Sequence, residues 1–143
     1  MPPAPPPQPR HLLLFDGVCG LCHRVVLFTL DRDPSGLFAF APLAGPTARE
    51  ALAGVSLPAG LDSVILVKDW QTPAKQVLVE SDAALAIAAG LPGAWRWLAV
   101  LRFVPRAIRD RLYRLVARHR YRLFGRFETC RLPGAVHAER FLP

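Results

Sequence analysis

The stretch His11-Leu12-Leu13-Leu14-Phe15-Asp16-Gly17-Val18-Cys19-Gly20-Leu21-Cys22-His23 sets two thiols three residues apart, directly after a short apolar run. Residues 11–15 read as a buried strand. From residue 20 to about residue 33, apolar Leu21, Val25, Phe28 and Leu30 recur at near-helical spacing. With Cys19 opening that helix, Cys22 follows one turn later on the same face, at a Cα separation of roughly 5 Å, which a disulfide tolerates. Free amide N–H groups and the positive end of the helix dipole then stabilise the thiolate of the first cysteine. The pair has the arrangement of a dithiol that is oxidised and reduced.

Working outward, Asp33-Pro34-Ser35-Gly36 ends the helix with turn residues. Residues 37–41 read as a second strand, 46–53 as a short helix, and 57–61 as a loop containing Pro58 and Gly60. The apolar, β-branched run 63–67 reads as a central strand, joined through a hairpin loop at 69–75 to a fourth strand at 76–80. Ser81 is placed to cap the next helix, Asp82 complements its dipole, and Gly90 with Pro92 stops it. The order is βαβαββα, an α/β thioredoxin-like core with a mixed four-stranded sheet. Its first two strands are parallel, so the cysteine pair sits at the carboxyl edge of the sheet, where α/β sites form. Two further helices, about 94–103 and 106–124, make a helical C-terminal extension. In the second, Ile108, Leu112, Leu115, Val116, His119 and Leu123 share one stripe, by which it is expected to pack on the core with its arginines pointing away.

The 143 residues and 52% hydrophobic content suit one compact domain, here residues 11–143, behind a proline-rich tail at 1–10 that is expected to be disordered. The N-terminus has no charged region followed by a long apolar run, so it does not read as a signal peptide. Three cysteines do not make a secreted disulfide scaffold, and a cytoplasmic location is expected. Residues 1–95 hold 6 basic and 8 acidic groups, and residues 96–143 hold 12 arginines and 3 acids, so the net +7 arises from the C-terminal third. Such a face is either a solvated helix surface or a contact for an anionic surface. It lacks the interleaved aromatics of a dedicated nucleic-acid module, so no specific nucleic-acid partner is expected.

Asp16, Cys19 and Cys22 match an Asp-x-x-Cys-x-x-Cys signature, and in this the chain resembles the DCC family of thiol-disulfide oxidoreductases. Further matches follow in the same order: Phe38-Ala39-Phe40-Ala41-Pro42-Leu43, Asp62-Ser63-Val64, Ser81-Asp82-Ala83-Ala84, Arg120-Tyr121, Gly125, Cys130 and Pro133. The resemblance implies a small thioredoxin-like redox protein without a cofactor. Its implied partners are a disulfide-bearing protein or small-molecule substrate and a thiol electron donor.

Cys19 at the helix mouth reads as the nucleophile and Cys22 as the thiol that resolves the mixed disulfide. Asp16 has two readings, a turn residue before Gly17 or a carboxylate that accepts or relays the Cys22 proton. His23 continues the helix, where an imidazolium would further favour the thiolate. Cys130 is either a buried small residue or a third participant in exchange. Cys19-Gly20-Leu21-Cys22-His23 also has the Cys-x-x-Cys-His form of a haem attachment site, but the sole methionine is Met1, which removes the usual second axial ligand. A zinc site would need Cys130 and one of His11, His23, His119 or His137 brought in by the fold. No metal is assigned. The position that thioredoxins give to a cis-proline is held here by Asp62-Ser63, and Gly20-Leu21 replaces the Gly-Pro between their cysteines, which leaves the direction of electron transfer open. The reading from another class is a non-catalytic binding module, with arginine-rich helices for an anionic partner and a structural or metal-binding cysteine pair.

Overall fold

The computed structural model of the chain describes residues 2, 8–17, 19–57, 64–125 and 139–143. Strand β1 (His11–Phe15) is buried along nearly its whole length because helices cover both of its faces, which is why the run is apolar without alternation. Strand β2 (Phe38–Pro42) pairs with it in parallel, from His11 opposite Phe38 to Phe15 opposite Pro42. Strand β3 (Ile65–Lys68) pairs antiparallel with the other side of β1, and β4 (Gln76–Val79) antiparallel with β3, giving the order β2-β1-β3-β4. On one face, Leu13, Phe15, Phe40 and Leu66 meet helix α1 (Gly20–Asp31) through Cys22, Val26 and Leu30, and helix α3 (Glu80–Gly90) through Ala83 and Ile87. On the other, Leu12, Leu14, Ile65 and Val67 pack against Ala48 and Ala51 of helix α2 (Pro46–Ala51). The mixed α/β architecture is that of a thioredoxin-like fold.

The expected elements are present with shifted ends. Helix α1 stops at Asp31, and its inward face is Cys22, Val26, Thr29 and Leu30, leaving Leu21, Val25 and Phe28 half-buried at its flank. Ser81 does not cap α3. The cap position is Val79, the helix starts at Glu80 with φ +54°, and the Ser81 hydroxyl donates to Asp110. Asp82 does lie in the first turn, where the helix dipole favours a carboxylate. Residues 94–103 are helical but wound more tightly than expected, as an 11-residue 3₁₀ helix (Gly93–Phe103) with no buried side chain. Residues 58–61 of the loop expected at 57–61, the Asp62-Ser63 position, Cys130, and residues 1 and 3–7 of the tail lie outside the described residues.

Helix α4 (Arg106–Phe124) overturns the expected packing. Ile108, Leu112, Leu115 and Leu123 face outward and are exposed, while Asp110, Tyr113, Ala117, Arg120 and Tyr121 turn inward, and Val116, although 46% exposed, borders the interior on the same side as Tyr113 and Ala117. The reason lies at the start of α3, where Glu80 and Ser81 are buried and need partners. Arg114 grips the Glu80 carboxylate with both arms of its fork, at 3.0 and 3.2 Å, and Arg109 and Arg106 reach Asp82 at 3.0 and 3.2 Å. An unpartnered buried carboxylate costs several kcal/mol, and the inward face of α4 supplies the cations and the acceptor that Glu80, Ser81 and Asp82 need.

At the C-terminal end, Arg140 is buried against Asp33 and donates to the Phe38 carbonyl at 2.8 and 3.0 Å from Nη2 and Nε. Asp33 also accepts from the Leu37 and Phe38 amides at 3.0 and 2.9 Å. The following residues run beside β2: Phe141 stacks on Phe40, and the Leu142 amide donates to the Phe40 carbonyl at 2.8 Å.

Candidate active site

Main-chain geometry brings the two cysteines to the mouth of α1. The Cys19 amide donates to the Asp16 carbonyl at 3.2 Å, closing a turn that carries the chain from the end of β1 into the helix. Cys19 is the N-cap, in extended conformation (φ −85°, ψ 123°), and its sulfur takes the place of the usual capping oxygen by accepting from the Cys22 amide at 3.4 Å. Both cysteines are thiols in this structure and both are buried.

The environment separates the two thiols chemically. Hydrogen bonds from the Cys22 thiol and from the Cys22 and Leu21 amides, together with the nearby Arg120 guanidinium, hold Cys19 down at about 6, against the opposing effect of burial. Cys22 is pushed far above the ordinary thiol range, chiefly because it donates to Cys19 and is buried, and also because Cys19 and Asp16 carry negative charge close by. On its apolar side Cys22 borders a cavity of about 90 Å³ lined with Leu21, Val25, Ile87, Val116 and Arg120.

Asp16 contributes main chain and side chain to the surroundings of the cysteine pair. Its carbonyl makes the turn, its amide donates to the Cys22 sulfur, and its carboxylate accepts from the Tyr121 hydroxyl. Arg120, almost wholly buried, lies 3.7 Å from the same carboxylate oxygen and donates to the Tyr121 hydroxyl at 3.1 Å. Burial, then the bond to Asp16, raise the Tyr121 phenol, so it stays a donor. In the sequence Arg120-Tyr121 matches the family pattern but carries no role of its own. The contact spans 105 positions, and no local pattern encodes it. The Gly20 amide donates to the Gly125 carbonyl at 3.1 Å, which ties the end of α4 to the mouth of α1. His23 lies in the first turn of α1, with its amide on the Cys19 carbonyl at 3.0 Å. Among the described residues no three His, Cys, Asp or Glu side chains gather as a metal site.

A parallel β1–β2 pair joined through a helix that opens on a cysteine pair, with an antiparallel β3–β4 hairpin beyond it, defines a thioredoxin-like redox protein. The chain belongs to the DCC1-like thiol-disulfide oxidoreductase family, whose model matches residues 13–126. It is 38% identical over 136 residues to the uncharacterized protein YuxK of Bacillus subtilis, covering 94% of this chain and 96% of that protein. It is 34% identical over 125 residues to a chloroplastic DCC family protein of Arabidopsis thaliana, covering 86% of this chain and 70% of that protein. No solved structure matches the chain.

Proposed function

We propose that the protein exchanges its Cys19–Cys22 dithiol with disulfides of a protein or small-molecule substrate. The observation that carries this reading is the placement of the two thiols one helical turn apart at the mouth of α1, with Cys19 as N-cap and its sulfur accepting from the Cys22 amide at 3.4 Å; this geometry lowers Cys19 to about 6 and raises Cys22. At neutral pH Cys19 is then largely the thiolate that attacks, and Cys22 remains a neutral donor that stabilises it.

Cys19 Sγ attacks one sulfur of the substrate disulfide, forming a mixed disulfide and releasing the other substrate sulfur as a thiolate. Bond formation removes the negative charge from Cys19, and with it the largest influence holding the Cys22 proton in place. Cys22 then transfers its proton to the Asp16 carboxylate, which Tyr121 and Arg120 hold in position. The Cys22 thiolate attacks Cys19 Sγ, the second substrate sulfur leaves and takes up a proton, and the protein is left with a Cys19–Cys22 disulfide. An external thiol donor restores the dithiol. Because both sulfurs are buried, a substrate sulfur reaches Cys19 only after the mouth of α1 opens locally.

The test is insulin reduction in the presence of a thiol donor, run beside Cys19→Ser and Cys22→Ser. The wild type should reduce insulin and Cys19→Ser should not. Cys22→Ser should accumulate a mixed disulfide at Cys19, visible by mass spectrometry of non-reduced peptides. A Cys19→Ser protein as active as the wild type would refute the assignment, as would a dominant bond from either cysteine to Cys130 in the oxidised protein.

A further inference from the structure

The C-terminal extension leaves large apolar side chains uncovered on two successive elements, and both have the same layout. In a 3₁₀ helix, positions three apart eclipse each other. Trp97, Val100 and Phe103 therefore form one line, with Trp97 69% and Phe103 76% exposed, and Arg96 and Arg102 form a second line beside it. In α4 the outward stripe of Ile108, Leu112, Leu115 and Leu123, the last 67% exposed, is flanked at helical spacing by Arg111, Arg118 and Arg122. These five arginines form no ion pair among the described residues, whereas Arg106, Arg109, Arg114 and Arg120 are each committed to a carboxylate. No described helix is long and apolar enough to cross a membrane.

We propose that the 3₁₀ helix and the outward face of α4 lie on an anionic lipid bilayer, with Trp97, Phe103 and the α4 stripe entering the acyl boundary and the five arginines meeting the headgroups. A line of large apolar side chains bordered by cations is the layout of a helix that rests in the bilayer interface. Charge complementarity selects this occupant. A second copy of the chain would bring the same five cations against their equivalents, and the apolar line has no use on a phosphate backbone. The surface is distinct from the cysteine pair, so failure of the dithiol chemistry would leave it standing.

The experiment is co-sedimentation of the full chain with vesicles of phosphatidylcholine alone and of phosphatidylcholine with phosphatidylglycerol, at low and high salt. Wild type should sediment with the anionic vesicles only, and binding should fall as salt screens the arginines. Trp97→Ser/Phe103→Ser and Arg111→Gln/Arg118→Gln/Arg122→Gln should each weaken it at least tenfold with unchanged melting temperature, while Arg49→Gln, outside these elements, should not. Quenching of wild-type tryptophan fluorescence by brominated lipid gives a readout that depends on no variant. Absence of binding to anionic vesicles would overturn the proposal. So would equal binding to both lipids, or a concentration-dependent dimer abolished by Trp97→Ser/Phe103→Ser in a protein that ignores vesicles.

Discussion

A thiol held at about 6 rather than the ordinary 9.0 should betray itself in the pH profile of its alkylation. At pH 6 about half of such a thiol is thiolate, against about one part in a thousand for an unperturbed one, a gain of roughly 500-fold. A weaker base is a poorer nucleophile: over three pH units this costs about 15- to 30-fold, so the net gain at pH 6 is about 15- to 30-fold. Burial slows the reagent at every pH alike and scales the whole curve without moving its midpoint. Iodoacetamide rates between pH 4.5 and 9.5, assigned to each cysteine by mass spectrometry, should give Cys19 a midpoint near 6, with Cys22 essentially unreactive below pH 9 in molecules whose Cys19 is unmodified. Cys22→Ala removes the largest cause of the lowering and leaves the amides and Arg120, so the Cys19 midpoint should rise by about 1–2 units. Cys22→Ser, which keeps a donor, should move it less. A wild-type midpoint at 8 or above, or one that ignores Cys22→Ala, would refute the reasoning.

Asp16→Asn keeps the main-chain turn but removes the proton acceptor. It should fold normally and lose about tenfold to thousandfold in the step where Cys22 resolves the mixed disulfide. An unchanged single-turnover rate with intact stability would leave Asp16 a turn residue. Tyr121→Phe removes the hydroxyl that holds the Asp16 carboxylate, and should slow the same step while first attack by Cys19 keeps its rate. Arg140→Met strips Asp33 of its buried cation but not of its two amide donors; urea unfolding should show a loss near the lower end of the about 3–5 kcal/mol typical of breaking a buried pair. Under reducing conditions the depressed Cys19 means the unfolded chain binds more protons between pH 6 and 9. The melting temperature of the wild type should therefore rise relative to Cys19→Ser as pH increases through that window, the contribution being complete above 9 and lost as pH falls toward 6. Paired melting curves at pH 6 and 8 measure this.

The sequence made the strands legible because β1 and β3 are apolar on both faces, and made the dithiol legible because a Cys-x-x-Cys after such a strand has few other uses. Periodicity found the α4 stripe of Ile108, Leu112, Leu115 and Leu123 but could not say which side of the helix was inside. Polar partners contributed by Glu80, Ser81 and Asp16 decide that, and they are distant in sequence. The same distance hid Tyr121 from the reading of the cysteine pair. The tight winding of 93–103 was illegible for another reason, since its residues satisfy either helical repeat and no buried face fixes one of them.

The segment that follows Arg140 has a consequence for self-association. In a sheet ordered β2-β1-β3-β4, the rims are β2 and β4, and an open rim of main-chain donors and acceptors is a template on which another chain can add. Phe141 and Leu142 occupy part of the β2 rim, and the Thr47 amide bonds the Pro143 carbonyl at 3.1 Å. Gly45 permits this close approach, because a Cβ there would lie 2.9 Å from the Pro143 carbonyl carbon. The opposite rim is only four residues long and ends at the left-handed backbone of Glu80, which turns the chain out of the strand direction. Residues 141–143 thus shield part of the β2 rim, and peeling the 139–143 segment away would expose that parallel-paired rim to strand addition.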